Sequence, residues 1–220
     1  MTVPAMDRRA QLLAARVYLI VTPETLGADA EARVAAALAS GAVDLVQART
    51  KRPGRDALDR LAAWLAPLAA AADVPWIVDD DPAAAVRLGA DGAHVGEDDM
   101  APAEARAVLG PARFLGVSTH DAEEIARAAA GPGDHAGLGP CFASGTKQLV
   151  RPPLGPAAAA AILATAPRTF PVFAIGGIDA EGAARLAEAG VQRVAVGAGI
   201  LGARDPGAAA AAIRRTLGPV

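Results

Sequence analysis

Short runs rich in Val, Ile and Leu alternate along the chain with longer alanine-rich stretches, in which the larger apolar residues recur every three or four positions. Apolar runs of four to six residues have the length of buried strands, whereas the wider spacing marks one face of a helix. The pattern predicts strands at 16–21 (RVYLIV), 43–47 (VDLVQ), 75–78 (PWIV), 92–95 (GAHV), 113–117 (RFLGV), 135–138 (HAGL), 171–175 (PVFAI) and 192–196 (QRVAV). Between them, Leu58, Leu61, Leu65 and Leu68 draw one helical stripe. Val34 with Leu38, and Leu186 with Ala183 and Ala187, begin others. Strand followed by helix, repeated along the whole chain, predicts a parallel sheet, because parallel neighbours need a crossover connection. The joints ASGAVDLV, RLGADGAHV and AEAGVQRVAV each carry a glycine, Gly41, Gly89 and Gly190, where a helix should end in the left-handed conformation. Eight such units with short connections favour a single closed (β/α)8 barrel over residues 1–220, preceded by a leader at about 1–15 with room for a short helix. An open doubly wound sheet is the alternative, since periodicity does not encode closure.

Polar residues and glycines gather just after the strand runs. Gln47, Arg49 and Lys51 follow the second, at alternate positions that share one face of an extended chain. Asp79, Asp80 and Asp81 follow the third, and Glu97, Asp98 and Asp99 the fourth. Ser118, Thr119 and His120 follow the fifth, and Ser144, Thr146 and Lys147 the sixth. The seventh is followed by Gly176-Gly177 and the eighth by Gly197-Ala198-Gly199. In a barrel all of these meet on the rim where barrel enzymes work. Glycines in the last two loops let backbone N–H groups approach a phosphate. Carboxylates about 5 Å apart at an effective dielectric near 20 repel by roughly 3 kcal/mol. The acidic clusters should therefore bind a cation, pair with Arg49, Lys51 or Lys147, or hold protons. Oxygen-only ligands suit Mg²⁺, which takes one or two carboxylates and fills its shell with water and substrate phosphate. Asp80 and Asp99 are the expected ligands, and Asp81 and Asp98 are expected to be solvated helix caps.

Composition narrows the partners. With 220 residues, a formal charge of −3 and 20% charged residues, the chain suits one soluble domain and lacks the basic excess that nucleic-acid binding requires. The alanine runs are all broken well short of about 18 residues, so no membrane span is expected. The charged-then-apolar N-terminus is split by Arg16 and reads as an approach to the first strand rather than a signal peptide. One cysteine, Cys141, excludes an internal disulfide and fits the reducing cytoplasm, where it is expected to be packing. His94 reads as a strand residue, His135 as structural, and Trp64 and Trp76 as packing. Composition sets no oligomeric state.

QARTK, DD at 79–80, GADGAHVGEDD, GVSTH, GLGPCFASGTK, FAIGGI and VGAGI together resemble, in order and spacing, the successive motifs of the thiamine-phosphate synthase family, over residues 17 to 216. That resemblance implies a (β/α)8 barrel joining a pyrimidine diphosphate to a thiazole phosphate, with loss of pyrophosphate before the thiazole nitrogen captures the pyrimidine carbocation. It implies that Gln47, Arg49, Lys51, Asp79, Ser118 and Lys147 contact the pyrimidine diphosphate, with Lys147, Ser118 and Arg49 closest to the chemistry. Ser144, Gly145, Thr146, Gly177, Gly197 and Ala198 would hold the thiazole phosphate, and Asp80 and Asp99 the Mg²⁺.

The chain departs from the family pattern at four places. Asp79-Asp80-Asp81 stands for Asn-Asp-Arg, which puts two like charges beside an anionic substrate unless Asp79 is protonated, turned toward a cation or helping to hold metal. Glu97 replaces Gln, Ser144 replaces Thr, and Gly197-Ala198 replaces Val-Ser. Two competing activities resemble the same pattern. One is the thiazole tautomerase branch of the superfamily, with His120 as the proton-transfer residue; the other is a non-catalytic thiazole-phosphate-binding homologue. Arg49, Lys51, Thr146 and Lys147 favour the synthase, because isomerisation releases no pyrophosphate.

Overall fold

A computed structural model describes residues 7–51, 55–143 and 151–218. Its strands are β1 (Val17–Val21), β2 (Leu45–Ala48), β3 (Trp76–Asp79), β4 (Gly92–Val95), β5 (Phe114–Thr119), β6 (His135–Leu138), β7 (Val172–Ile175) and β8 (Val194–Val196). Each is hydrogen-bonded in parallel to the next, and β8 returns to β1, so the sheet is a closed barrel. Closure is the property that strand periodicity leaves open, and it excludes the doubly wound alternative. Helix α1 (Arg8–Ala14) precedes β1. Helices α2 (Ala30–Ala39), α3 (Arg55–Ala71), α4 (Pro82–Leu88), α5 (Pro102–Leu109), α6 (Ala122–Ala130), α7 (Gly155–Leu163) and α8 (Ala180–Glu188) link successive strands. Two more, α9 (Ala198–Leu201) and α10 (Pro206–Thr216), follow β8. Among the described residues no helix is long and apolar enough to cross a membrane.

Side-chain alternation divides the core in two. Val17, Leu19, Val21, Val46, Ala48 and Val78 face outward and pack under the helices, where Val34, Leu38, Leu58, Leu61, Leu65 and Leu186 meet them. Tyr18, Leu45, Ile77, Phe114, Phe173 and Ala195 fill the barrel interior. Leu12 of α1 and Ala15 just after it belong to that interior cluster, so α1 closes the N-terminal end of the barrel. Gly41, Gly89 and Gly190 all have the expected positive φ, at 67°, 72° and 96°.

The start of β2 differs from expectation. Asp44, inside the predicted run 43–47, is not in the strand, because its carboxylate accepts from the backbone N–H groups of Arg16 and Val17 at 2.8 and 2.9 Å. The device recurs: Asp91, just before β4, accepts from Trp76 N, and Asp134, just before β6, accepts from Leu115 N, each at 2.9 Å. Arginines back these carboxylates: Arg214 pairs with Asp44, and Arg106 with Asp134. The N-terminal face of the barrel is thereby held by charge-assisted hydrogen bonds between successive strands, leaving the other face for function.

Two histidines stand inside the barrel. His135 packs edge-on against Tyr18 and Phe173 with ring centroids 5.9 and 6.0 Å away, and neither of its ring nitrogens has a hydrogen-bond partner. Burial lowers the pKa of both His94 and His135 to about 3. Because the folded values lie below the ordinary 6.5, the unfolded chain binds more protons between those limits, and stability falls as pH drops through that window. Each histidine contributes a slope of up to about 1.4 kcal/mol per pH unit. Urea unfolding at pH 7 and pH 5 is expected to show that His135→Phe loses distinctly less stability on acidification than the parent; equal losses would contradict a buried neutral imidazole at this position.

Candidate active site

The inward alternation that builds the core also builds the site, because it continues past the apolar layer onto the C-terminal rim. Leu45 is followed on the same face by Gln47 and then Arg49, Ile77 by Asp79, and Phe114 by Gly116 and Ser118. Gln47, Arg49, Asp79 and Ser118 line a cavity of about 490 Å³, together with Tyr18, Lys51, His94, Asp179 and the glycines of the last two loops.

On the β2–β5 side the polar groups are already paired. Gln47, 4% exposed, donates its Nε2 hydrogen to the Tyr18 hydroxyl at 2.7 Å. Burial raises the Tyr18 pKa well above its usual value, so the phenol is neutral. Ser118 Oγ lies 3.0 Å from His94 Nε2. The Arg49 guanidinium donates to the Asp79 carboxylate, whose side chain is 7% exposed, and lies 3.7 Å from Asp80 Oδ2. Of the three ways in which Asp79 could be accommodated, the one observed is a turn toward a cation.

Asp80 is placed by unusual backbone. Its φ is +64°, a left-handed conformation that aspartate tolerates better than most residues, and its N–H donates to His94 O at 2.8 Å. Asp99 accepts from Gly96 N at 2.7 Å. Both carboxylates therefore stand on adjacent loops, after β3 and β4. No cluster of three or more His, Cys, Asp or Glu side chains able to cage a metal occurs among the described residues. Two hard oxygen donors of this kind fit Mg²⁺, which completes its shell with water and phosphate, better than a metal needing a full protein cage. Asp81 caps α4 by accepting from Ala84 N at 2.8 Å, as expected. Asp98 does not cap a helix: α5 starts with Pro102 after Ala101, and Asp98 stands exposed in the preceding turn.

The opposite wall is backbone. Gly177 has φ +62°, and a Cβ there would lie 2.3 Å from Ala143 O; a Cβ on Gly199 would lie 2.2 Å from Ile178 O. The loops after β6, β7 and β8 thus pack main chain on main chain, which only glycine permits. Gly176, Gly177, Gly197, Ala198 and Gly199 all line the cavity. Asp179 is spent as the cap of α8, accepting from Gly182 N at 2.8 Å. Ser144, Gly145, Thr146 and Lys147 lie outside the described residues. Of the flanking positions, Ala143 lines the cavity, and Arg151 pairs with Glu97 at 3.0 Å.

His120 does not line this cavity; its Nδ1 lies 2.9 Å from Glu124 Oε2, and the same carboxylate accepts its backbone N–H at 2.7 Å. Cys141 is buried, with its thiol pKa pushed up to about 11, and Trp76 is core, both as expected of packing residues. Tyr18 and His94 are cavity residues that their strand runs conceal. The available signal is the two-residue period, which puts His94 level with Asp79 across β3–β4 and Gln47 level with Ile20 across β1–β2.

Comparison with known proteins agrees with this fold. The family model described as thiamine monophosphate synthase matches residues 17–200. The chain is 42% identical over 205 residues to the thiamine-phosphate synthase of Anaeromyxobacter dehalogenans, covering 93% of this chain and 87% of that protein. It is 39% identical over 202 residues to the thiamine-phosphate synthase of Gloeobacter violaceus, spanning 91% of this chain and 57% of that longer protein. The solved structure of thiamine phosphate pyrophosphorylase from Pyrococcus furiosus superimposes with a TM-score of 0.79 at 27% identity, over 94% of this chain and 96% of that one. By the extent of these matches and by its barrel, the chain belongs to the thiamine monophosphate synthase family.

Proposed function

We propose that this protein joins 4-amino-2-methyl-5-pyrimidinylmethyl diphosphate to thiazole phosphate, giving thiamine monophosphate and pyrophosphate. The observation that carries this reading is a single cavity with two unlike ends: cationic and hydroxyl side chains on β2–β5, and a glycine-built backbone wall after β7 and β8. A reaction between two phosphorylated partners needs two separate anion grips that face one another.

In the proposed mechanism the C–O bond to the diphosphate breaks first, and its electron pair leaves with the diphosphate oxygen. Arg49 and Lys51, with Lys147 from the sixth loop, stabilise the charge that develops there. Ser118, held by His94, and Gln47, held by Tyr18, orient the pyrimidine. The thiazole nitrogen lone pair then forms the new C–N bond, while Gly177, Gly197 and Ala198, with Ser144 to Thr146, hold the thiazole phosphate. Mg²⁺ bound by Asp80 and Asp99 would offset diphosphate charge. The single buried cysteine suits a reducing cytoplasm as the place of work. The tautomerase reading loses support because His120 is engaged by Glu124 away from the cavity.

Incubating the protein with both phosphorylated substrates and Mg²⁺ is expected to yield thiamine monophosphate and pyrophosphate in equal amounts, and excess chelator is expected to stop it. Thiazole-phosphate binding without product would identify a binding homologue, and isomerisation of a thiazole carboxylate phosphate without pyrophosphate would identify a tautomerase.

A further inference from the structure

Among its described lining residues, the cavity meant for an anion carries no excess of cations. Arg49 and Lys51 are matched in number by Asp79 and Asp179, and Asp80 stands at the rim as a further carboxylate. Asp179 is committed to the α8 cap, so Asp79 is the carboxylate that faces the guanidinium. Asp79 is nearly buried and bonded to the group that should grip the diphosphate, whereas Asp80, 3.7 Å from the same guanidinium, is half exposed. A diphosphate arriving alone would have to compete with Asp79 for Arg49 and would leave that carboxylate buried beside a second anion. Both consequences oppose binding.

We infer that Asp79 is a specificity-determining residue that makes recognition of the diphosphate conditional on a divalent cation. A cation held at Asp80 and Asp99, directly beside Asp79, supplies the charge that lets Arg49 turn from the carboxylate to the phosphate oxygens. Without it, Asp79 keeps Arg49 and the free anion is rejected. The residue thereby selects the metal-bound form of the substrate over the metal-free form. This rests on the synthase reading for the identity of the anion, and on Asp80 and Asp99 for the position of the cation.

The test is calorimetric binding of inorganic pyrophosphate, with and without Mg²⁺, to the parent protein and to Asp79→Asn. The parent is expected to bind the metal-free anion at least about tenfold more weakly than the variant, while in Mg²⁺ the two should agree within about threefold. Asp79→Glu should restore the dependence on metal. Asp98→Asn, which removes an exposed charge outside the cavity, should leave both constants within about twofold. If Asp79→Asn does not fold, as judged by its thermal transition, Asp79→Ser carries the same expectation. Equal metal-free binding by parent and variant overturns the inference while leaving the synthase reading intact. Failure of the parent to bind pyrophosphate even with Mg²⁺, together with no thiamine monophosphate in the coupled assay, overturns both.

Discussion

Arg49→Ala is expected to lower kcat/KM for thiamine monophosphate formation by about a hundredfold or more, with most of the loss in kcat. A cation about 4 Å from an anion at an effective dielectric near 20 contributes about 4 kcal/mol, and removing one donor that acts on a developing charge typically costs about 3 kcal/mol of that in the rate. Truncation also leaves the Asp79 carboxylate without its guanidinium in a cavity about to receive an anion. The double variant Arg49→Ala, Asp79→Asn should therefore be more active than Arg49→Ala alone. Such non-additivity is the signature of two side chains in direct contact. Steady-state rates of pyrophosphate release measure both effects, and a loss under about threefold in Arg49→Ala would remove Arg49 from the chemistry.

The second large effect is expected at Asp80. Asp80→Asn should reduce pyrophosphate release by more than about tenfold at saturating thiazole phosphate and should raise the Mg²⁺ concentration needed for half activity. Asparagine isolates the charge, because it shares the tolerance of aspartate for the left-handed backbone seen at this position. A structural explanation would predict a lower melting temperature and an unchanged Mg²⁺ requirement. Asp99→Asn should behave similarly, with an added loss only if its contact with Gly96 N also positions the loop. Normal turnover with unchanged Mg²⁺ dependence in both variants would dismiss the metal assignment.

Much of the scaffold was legible in the chain because burial imposes periodicity. The eight strand runs coincide with the observed strands to within one or two residues, and the glycines at 41, 89 and 190 end their helices as expected. The exception at β2 is instructive: Val43, Leu45 and Val46 frame an apolar run, yet Asp44 lies outside the strand, its carboxylate accepting from the backbone amides of Arg16, just before β1, and Val17, its first residue. That partner lies more than twenty residues away, so no local pattern announces it. Asp81 and Asp98 make the same point for caps. Both are acidic residues in a loop before a helix, but capping depends on where the first turn begins, and α5 begins at Pro102 rather than within reach of Asp98.

The candidate site was legible as a set of residue types and obscure as a set of partners. Clusters after each strand named Gln47, Arg49, Asp79, Ser118 and the paired glycines, because a barrel collects strand ends on one rim. They did not name Tyr18 or His94, whose neighbours in sequence are ordinary strand residues. Nor did they reveal that the acidic replacement at Asp79 is answered by Arg49 from the end of the preceding strand, β2. The chain alone determined the alternation of strand and helix, the polar rim and the family pattern, all of which depend on residue order and the free energy of burying apolar surface. Closure of the barrel, the pairing of Arg49 with Asp79, and the Tyr18–Gln47 and His94–Ser118 contacts were decided only by tertiary structure. Each of these depends on a distance between residues remote in sequence, and such distances exist only once the strands have closed into a ring.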